Sequence, residues 1–227
     1  MGVKKVSKIK VAIDGPVSSG KSSAGSKTAA ALNYQFIDTG IMYRAMAYKI
    51  KIQNIPSTKW KQTAEAASFK WVGDLSKPSL ILDGTNVSRN LFSPEISSFT
   101  SKVASVPEIR KILVSIQRKM AEDGGIVMVG RDIGTVVLPD AELKIFLTAS
   151  LDARIKRRYE ELNQSKTPIP IEKLKIEILE RDKRDTTRSD SPLQIAENGI
   201  EIDSTHLTLD EVVEMIVKLA KDKESRD

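Results

Sequence analysis

Apolar residues along the chain fall into two alternating kinds of segment. Short continuous runs bounded by polar residues predict buried strands, and longer stretches carry apolar residues at helical spacing. Ile9, Val11, Ala12 and Ile13 form the first run, and the Ala-rich stretch from Ser22 to about Leu32 predicts a helix after it. Tyr34-Gln35-Phe36-Ile37-Asp38 predicts a short second strand, then a turn at Thr39 and Gly40, then a helix from about Ile41 to Ile52. Ile109, Leu113, Ile116 and Met120 mark a long helix from about Glu108 to Ala121. Ile126-Val127-Met128-Val129 is apolar throughout, as a central parallel strand should be. Leu143 to Leu147 predicts another buried strand, and Gly199-Ile200-Glu201-Ile202-Asp203 a weaker last one. Thr208 and Glu211 form a capping box that opens a final helix with Val212, Val213, Ile216 and Leu219 on its apolar side.

Two regions break this alternation. From Ser68 to Arg89, Gly73, Pro78 and Gly84 punctuate short runs at Phe69 to Val72, Ser79 to Leu82 and Asn86 to Val87, which predict a small antiparallel insert. Pro94 to Ser105 then leads to Pro107. From Ser150 to Ser189 the chain is polar and charged, and Thr167-Pro168-Ile169-Pro170 divides it into two predicted helices. Strands alternating with helices imply a parallel sheet covered on both faces, with the ligand at the carboxyl ends of the strands. Asp14-Gly15, Asp38-Thr39 and Arg131-Asp132 all fall at such ends.

Composition narrows the class. The 227 residues, 40% of them hydrophobic, suffice for one domain with a real core. No cysteine is present, so disulfides and thiolate metal sites are excluded. No run reaches membrane-span length and no signal-peptide pattern precedes the first strand, so a soluble cytoplasmic protein is expected. The net charge of +6 would suit an anionic partner. Aromatics are 5% and are not interleaved with basic residues, which argues against single-stranded nucleic acid. The N-terminal Lys4, Lys5, Lys8 and Lys10 read as ordinary solvated lysines. The lone histidine, His206, lies before the last helix, so any chemistry here runs without a histidine base.

Gly15-Pro16-Val17-Ser18-Ser19-Gly20-Lys21-Ser22 matches the P-loop pattern without a mismatch, between a predicted strand and a predicted helix. Such a loop cradles phosphate with backbone N–H groups at a helix N-terminus; Lys21 would reach the β- and γ-phosphates and the Ser22 hydroxyl would sit on Mg²⁺. Arg154, Arg157 and Arg158 share one helix face, as do Arg181, Asp185 and Arg188, and Glu177 could pair with Arg181. Guanidinium forks match phosphate oxygens. If the acceptor is itself a phosphate, two polyanions meet and several arginines must offset their repulsion. That acceptor is largely ionised near neutral pH and needs no general base. The 150–189 region would close as a lid against water.

These residues resemble the bacterial cytidylate kinases over nearly the whole chain. The resemblance rests on Ile13-Asp14-Gly15-Pro16 with Gly20-Lys21-Ser22, Asp38-Thr39-Gly40 with Tyr43-Arg44, Gly130-Arg131-Asp132-Ile133-Gly134-Thr135-Val136-Val137, and Glu180-Arg181-Asp182 through Asp185, Arg188 and Ser191-Pro192-Leu193. It implies an α/β P-loop NTPase three-layer fold with a central parallel sheet, a small antiparallel monophosphate-binding insert (68–104) and a helical lid (150–189), all in one kinase domain (1–227). It implies ATP-dependent phosphorylation of CMP and dCMP. Gly15, Pro16, Val17, Ser18, Ser19, Gly20, Lys21, Ser22, Ser23 and Arg158 would then bind ATP with Mg²⁺. Thr39, Tyr43, Arg44, Ser101, Arg110, Arg131, Asp132, Arg181, Asp185 and Arg188 would line the CMP site. Ser101, Arg110 and Asp132 would read the cytosine edge. Arg44, Arg131 and Arg188 would hold the acceptor phosphate, and Arg181 and Asp185 the ribose, with Arg181 also near the phosphate. Lys21, Arg131, Arg181 and Arg188 would be catalytic. Val17, Ser18 and Ser23 depart from the usual loop. Asp14 and Asp38 both stand where a carboxylate could back the Mg²⁺ shell. A monomer without nucleic-acid or membrane partners is expected. UMP, AMP or shikimate as acceptor, or nucleotide binding without turnover, are the competing readings. No N-K-x-D guanine motif is present to support a GTPase.

Overall fold

The computed structural model describes residues 8–74, 78–164 and 169–225. Lys4 and Lys5, and Thr167-Pro168 between the two polar helices, lie outside the described residues. Strand β1 (Lys10–Asp14) leads through the glycine loop into α1 (Lys21–Leu32), β2 (Gln35–Asp38) and α2 (Thr39–Ile52). Short α3 (Trp60–Glu65) precedes an antiparallel sheet of β3 (Phe69–Val72), β4 (Ser79–Leu82) and β5 (Thr85–Asn86). Then come α4 (Pro94–Ala104), α5 (Pro107–Met120), β6 (Ile126–Gly130), a π-helical turn at Ile133–Val137 and β7 (Leu143–Thr148). The chain continues with α6 (Leu151–Gln164), α7 (Ile171–Thr187), β8 (Ile200–Asp203) and α8 (Leu209–Glu224).

The main sheet is parallel throughout, in the order β2-β6-β1-β7-β8. Strand alternation sorts its side chains between two cores. Val11, Ile13, Val127 and Val129 face Ala24 and Ala29 of α1 and Val212, Ile216 and Ala220 of α8. Ala12, Ile126 and Met128 face Met42 and Met46 of α2 and Ile109 and Leu113 of α5. Both central strands are buried on both faces, and each fully buried Val, Ile or Met side chain contributes about 1.5–3 kcal/mol. Three layers follow, and the loops at the carboxyl ends of β1, β2 and β6 lie side by side. Among the described residues no helix is long and apolar enough to cross a membrane.

The antiparallel sheet grows out of α2, burying Leu80, Leu82, Val87 and Leu91 against Ala45. Helices α6 and α7 share a much smaller cluster of Ile155, Leu174 and Ile178, against which Val17 of the glycine loop packs. So little buried apolar surface makes this pair a low-stability unit, the kind that can move.

Three local readings are corrected. The turn expected at Thr39-Gly40 is already the first turn of α2. Its backbone is helical because Thr39 turns inward and donates its hydroxyl to the Val129 carbonyl at 3.0 Å. The last insert strand is Thr85–Asn86, one residue earlier than expected, because Asp83-Gly84 form a tight left-handed turn. The stretch before Pro107, for which the sequence pattern predicts no element, is helix α4 from Pro94 to Ala104. Ser93 caps it, accepting from the Ile96 N–H at 3.2 Å, with Pro94 at the first helical position.

Candidate functional site

The glycine loop curls where the sheet hands over to α1. Gly20 caps the helix at φ 92°, a left-handed conformation that glycine adopts without strain. Ser18 also takes a left-handed φ of 59°, which is uncommon for a residue with a side chain and typical of loops that turn N–H groups inward. Gly15 admits no side chain, since a Cβ there would sit 2.1 Å from the Leu147 carbonyl oxygen. Lys21 is buried in the loop, and its ammonium donates to the Pro16 carbonyl at 2.8 Å. Burial, and then the Arg131 charge, push its pKa well below the usual 10.5. Ser22 donates its hydroxyl to Asp38 at 2.6 Å. Ser23 is exposed on α1.

Beside the loop lies a cavity of about 530 Å³ between α1, α6 and the start of α8. Ser18, Ser19, Gly20, Ser23 and Arg158 line it, and so do Arg157, read above as part of an arginine face, Thr208, read as a helix cap, Val212, read as core, and Ser204 and Leu207, to which the sequence reading gave no role. A signal was available: Ser204 follows β8 just as Gly15 follows β1, at the carboxyl edge of the same sheet. His206 is exposed and lines no part of this cavity.

Across the sheet edge, the residues after β6 form an ionic network. Arg110, from α5, is buried and donates to Asp132 at 2.5 Å. Tyr43 lies under the same guanidinium, 5.8 Å from ring centre, and burial pushes the phenol up to about 12. Arg188 approaches the other Asp132 oxygen at 3.5 Å. Asp190, which the sequence reading also missed, reaches Arg110 at 3.4 Å. Arg131 donates to Asp185 at 2.7 Å, and that carboxyl is held low: burial works against this, and Arg131 with its neighbouring arginines outweighs it. So Tyr43, Arg110, Arg131, Asp132, Asp185 and Arg188 converge from four separate stretches of chain.

Two expected members make no hydrogen bond or ion pair to this network among the described residues. The Ser101 hydroxyl, on α4, makes no hydrogen bond among the described residues. The Arg44 guanidinium is held by the insert side, donating to Ser97 at 2.6 Å and to the Leu91 carbonyl at 3.2 Å, under the Phe92 ring. Its charge still faces Asp38, Arg158 and Arg131, and burial lowers its pKa.

Helices α6 and α7 are docked onto the loop by polar contacts. Arg154 donates to Asp182 at 2.5 Å and to the Val17 carbonyl at 3.3 Å, while the Val17 N–H donates back to Asp182 at 3.4 Å. Arg157 donates to the Ser204 carbonyl at 2.5 Å. Arg158 pairs within its own helix, with Glu161 at 2.7 Å. The pair expected between Glu177 and Arg181 does not form. Arg181 points inward and has no hydrogen bond or ion pair among the described residues. Burial, then Arg131, lower its pKa to about 10. Arg181, Arg131, Arg44, Arg158 and Lys21 therefore share one cleft with too few carboxylates to balance them. A polyanion supplies what is lacking.

Asp14 and Asp38 are now distinguishable. Both Asp14 oxygens accept from backbone, at Ile133 and Gly134, each at 2.8 Å. Asp38 presents its carboxylate beside the Ser22 hydroxyl. An oxygen-only pair of this kind suits Mg²⁺, which keeps waters and substrate phosphates as its other ligands. Among the described residues no cluster of three or more His, Cys, Asp or Glu forms an all-protein metal cage.

A family model and the curated relatives give one family. The cytidylate kinase family model matches residues 11–222. A cytidylate kinase of Caldanaerobacter subterraneus subsp. tengcongensis is 47% identical over 208 residues, covering 92% of each chain. One from Alkaliphilus oremlandii is 44% identical, covering 94% of this chain and 98% of its own. Among solved structures, an uncharacterized protein from Eubacterium ventriosum superposes with a TM-score of 0.52 at 15% identity, covering 94% of this chain and 99% of its own.

Proposed function

The chain belongs to the cytidylate kinase family, and on that premise we propose how its residues carry the ATP-dependent phosphorylation of CMP and dCMP to CDP and dCDP. The loop from Gly15 to Ser22 and the Ser23 position hold the ATP phosphates, with Lys21 on the β- and γ-oxygens. The cavity between α1 and α8 takes the nucleoside end, under Arg158. Mg²⁺, arriving with ATP, supplies charge neutralisation at the phosphates. Ser22 and Asp38 are the residues that would hold it. Asp14 does not, because both its oxygens are committed to backbone.

CMP lies over β6. Asp132 accepts from the cytosine 4-amino group, while Arg110 and Ser101 serve the ring carbonyl and N3. Ser101 comes to this site from α4. Arg44, Arg131 and Arg188 hold the acceptor phosphate, and Asp185 the ribose. Thr39 and Tyr43 shape the floor. Arg181 spans both substrates. Since the acceptor oxygen is already anionic, no base is required, and the protein positions and neutralises. The 150–189 lid excludes water from the transferring group. The chain works as a single kinase domain and monomer, without nucleic acid or membrane.

The observation that carries this reading is the buried Arg110–Asp132 pair at the end of β6, beside a cleft whose buried Arg181 makes no direct ion pair among the described residues. An ATP-coupled assay across CMP, dCMP, UMP and AMP tests it. CMP and dCMP should turn over well and UMP and AMP poorly. UMP turning over as fast as CMP refutes the cytosine assignment, and no ADP release with any monophosphate refutes catalysis.

A further inference from the structure

The carboxylate of Asp14 has no part in the chemistry above, yet it is 3% exposed at the centre of the molecule. It closes β1 and directly precedes Gly15 of the ATP-holding loop. Its two oxygens accept from two successive backbone N–H groups, Ile133 to Oδ1 and Gly134 to Oδ2, each at 2.8 Å. Those residues open the π-helical turn that directly follows Arg131-Asp132. In that turn Val136 and Val137 both donate to the Asp132 carbonyl, at 2.9 and 3.0 Å. The ladder between β1 and β6 ends with Asp14 opposite Gly130. Beyond it the two loops diverge, and the carboxylate continues the connection between them.

We infer that Asp14 is a positioning residue that fixes the ATP-holding loop relative to the Arg131-Asp132 pair, and so sets the alignment of donor and acceptor. The inference rests on the proposed roles of those two loops. Three alternatives fit less well. A metal ligand needs a free oxygen, and Asp14 has both turned toward backbone. A proton carrier needs access to the cleft, and this group is enclosed. A filler of the core would be apolar, because a buried carboxylate pays for desolvation. Here burial, with Asp132 adding to it, pushes the group up to about 6 against the two N–H bonds and Lys21, which favour the charged form. Only an ionised carboxylate offers one acceptor to each of two adjacent N–H donors in this geometry. An amide offers one acceptor and turns an N–H₂ toward the second donor. π-Helical turns recur at functional sites, and this one is tied to the opposite loop at its first residue.

Transfer between two bound phosphates depends on near-attack alignment, where a displacement of about 1 Å can cost on the order of 10²-fold in rate. Asp14→Asn keeps the volume and removes half of the clasp. The expected result is kcat lower by about tenfold or more, with KM for ATP and CMP within about threefold and the thermal midpoint lower by about 2–12 °C for the one buried N–H left without an acceptor. Wild-type kcat in a folded Asp14→Asn enzyme overturns the inference. A loss of activity that matches the loss of folded protein at the assay temperature also overturns it, in favour of a purely structural role. If the variant does not fold, the wild-type protein decides by NMR. The Ile133 and Gly134 amides and the Arg131 Nε–H should then titrate together with an apparent pKa near 6. Asp132 and Lys21 are the charged groups that face Asp14, and their own resonances separate their titrations from its own. An Arg131 signal that ignores this transition overturns the coupling. The substrate panel stands apart from this test. If the panel favours another monophosphate, the kcat of Asp14→Asn with that monophosphate still tests the clasp.

Discussion

Replacing Asp132 by asparagine separates the two things this residue is asked to do. In the folded chain its carboxylate takes a 2.5 Å bond from Arg110 and faces Arg188 at 3.5 Å, with the Arg110 and Asp132 side chains 6% and 10% exposed. Breaking a buried pair by removing one partner costs about 3–5 kcal/mol, because the remaining charge is left desolvated. Asparagine keeps one acceptor oxygen for Arg110, and Asp190 stands near at 3.4 Å, although it is mostly exposed and worth little as an ion pair. The loss should therefore fall at or just below the bottom of that range, about 2–3 kcal/mol. For a chain of this size that lowers the thermal midpoint by about 4–12 °C.

The effect on substrate choice is a different quantity. A carboxylate accepts from the cytosine amino group and repels the uracil carbonyl at the same position. An asparagine amide can donate to that carbonyl. Losing one charge-assisted hydrogen bond costs about 1.5–3 kcal/mol, or roughly ten- to a hundredfold in kcat/KM for CMP. The UMP value should hold or rise. Coupled assays with CMP and UMP beside a melting curve measure both effects. A lower midpoint with an unchanged CMP-to-UMP ratio refutes the base-reading role and leaves Asp132 as a structural partner of Arg110.

Two further outcomes follow from the same electrostatics. Lys21 is held well below its ordinary pKa by burial and by Arg131, and a bound triphosphate reverses that, so ATP binding at mildly alkaline pH should take up protons. Calorimetry in buffers of different ionisation enthalpy reads this directly, and a heat independent of buffer refutes it. Asp182→Asn removes the anchor shared by Arg154 and the Val17 N–H. Limited proteolysis should then cut the 150–189 segment faster and kcat should fall while the central sheet melts near the wild-type temperature; an unchanged cleavage rate refutes the docking role.

How legible each part was depends on the range of the interaction that builds it. The sheet was legible because strands buried on both faces are apolar throughout, as at Ile126 to Val129, and because a glycine loop needs local backbone freedom at Gly15 and Gly20. The capping box at Thr208 and Glu211 forms as read, both halves being three residues apart. Helix α4 was passed over although Ser93-Pro94 is a strong start signal, since its short, weakly apolar stretch lies between two prolines. The Arg154, Arg157 and Arg158 row shows the limit. Their spacing places them on one face, but one clamps Val17, one holds Ser204 and one pairs inside its own helix. Partners thirty to well over a hundred residues away leave no periodic trace. Asp190, 80 residues beyond Arg110, was hidden for the same reason.

That long-range pairing also divides labour among the cations. Arg110, Arg131 and Arg154 are each bonded to a carboxylate at 2.7 Å or less, so their forks are already oriented before any substrate arrives. Orientation of this kind serves recognition, where geometry must be fixed. Among the described residues Arg181 has no such partner, Lys21 bonds a carbonyl, and Arg44 bonds a carbonyl and a hydroxyl. Their charges are suppressed by burial and by one another, which makes the free cleft unfavourable and a bound polyanion correspondingly favourable. Two phosphates brought together in this cleft would supply the negative charge it lacks, so under the proposed function the imbalance that penalises the free protein would favour the state in which donor and acceptor are both bound.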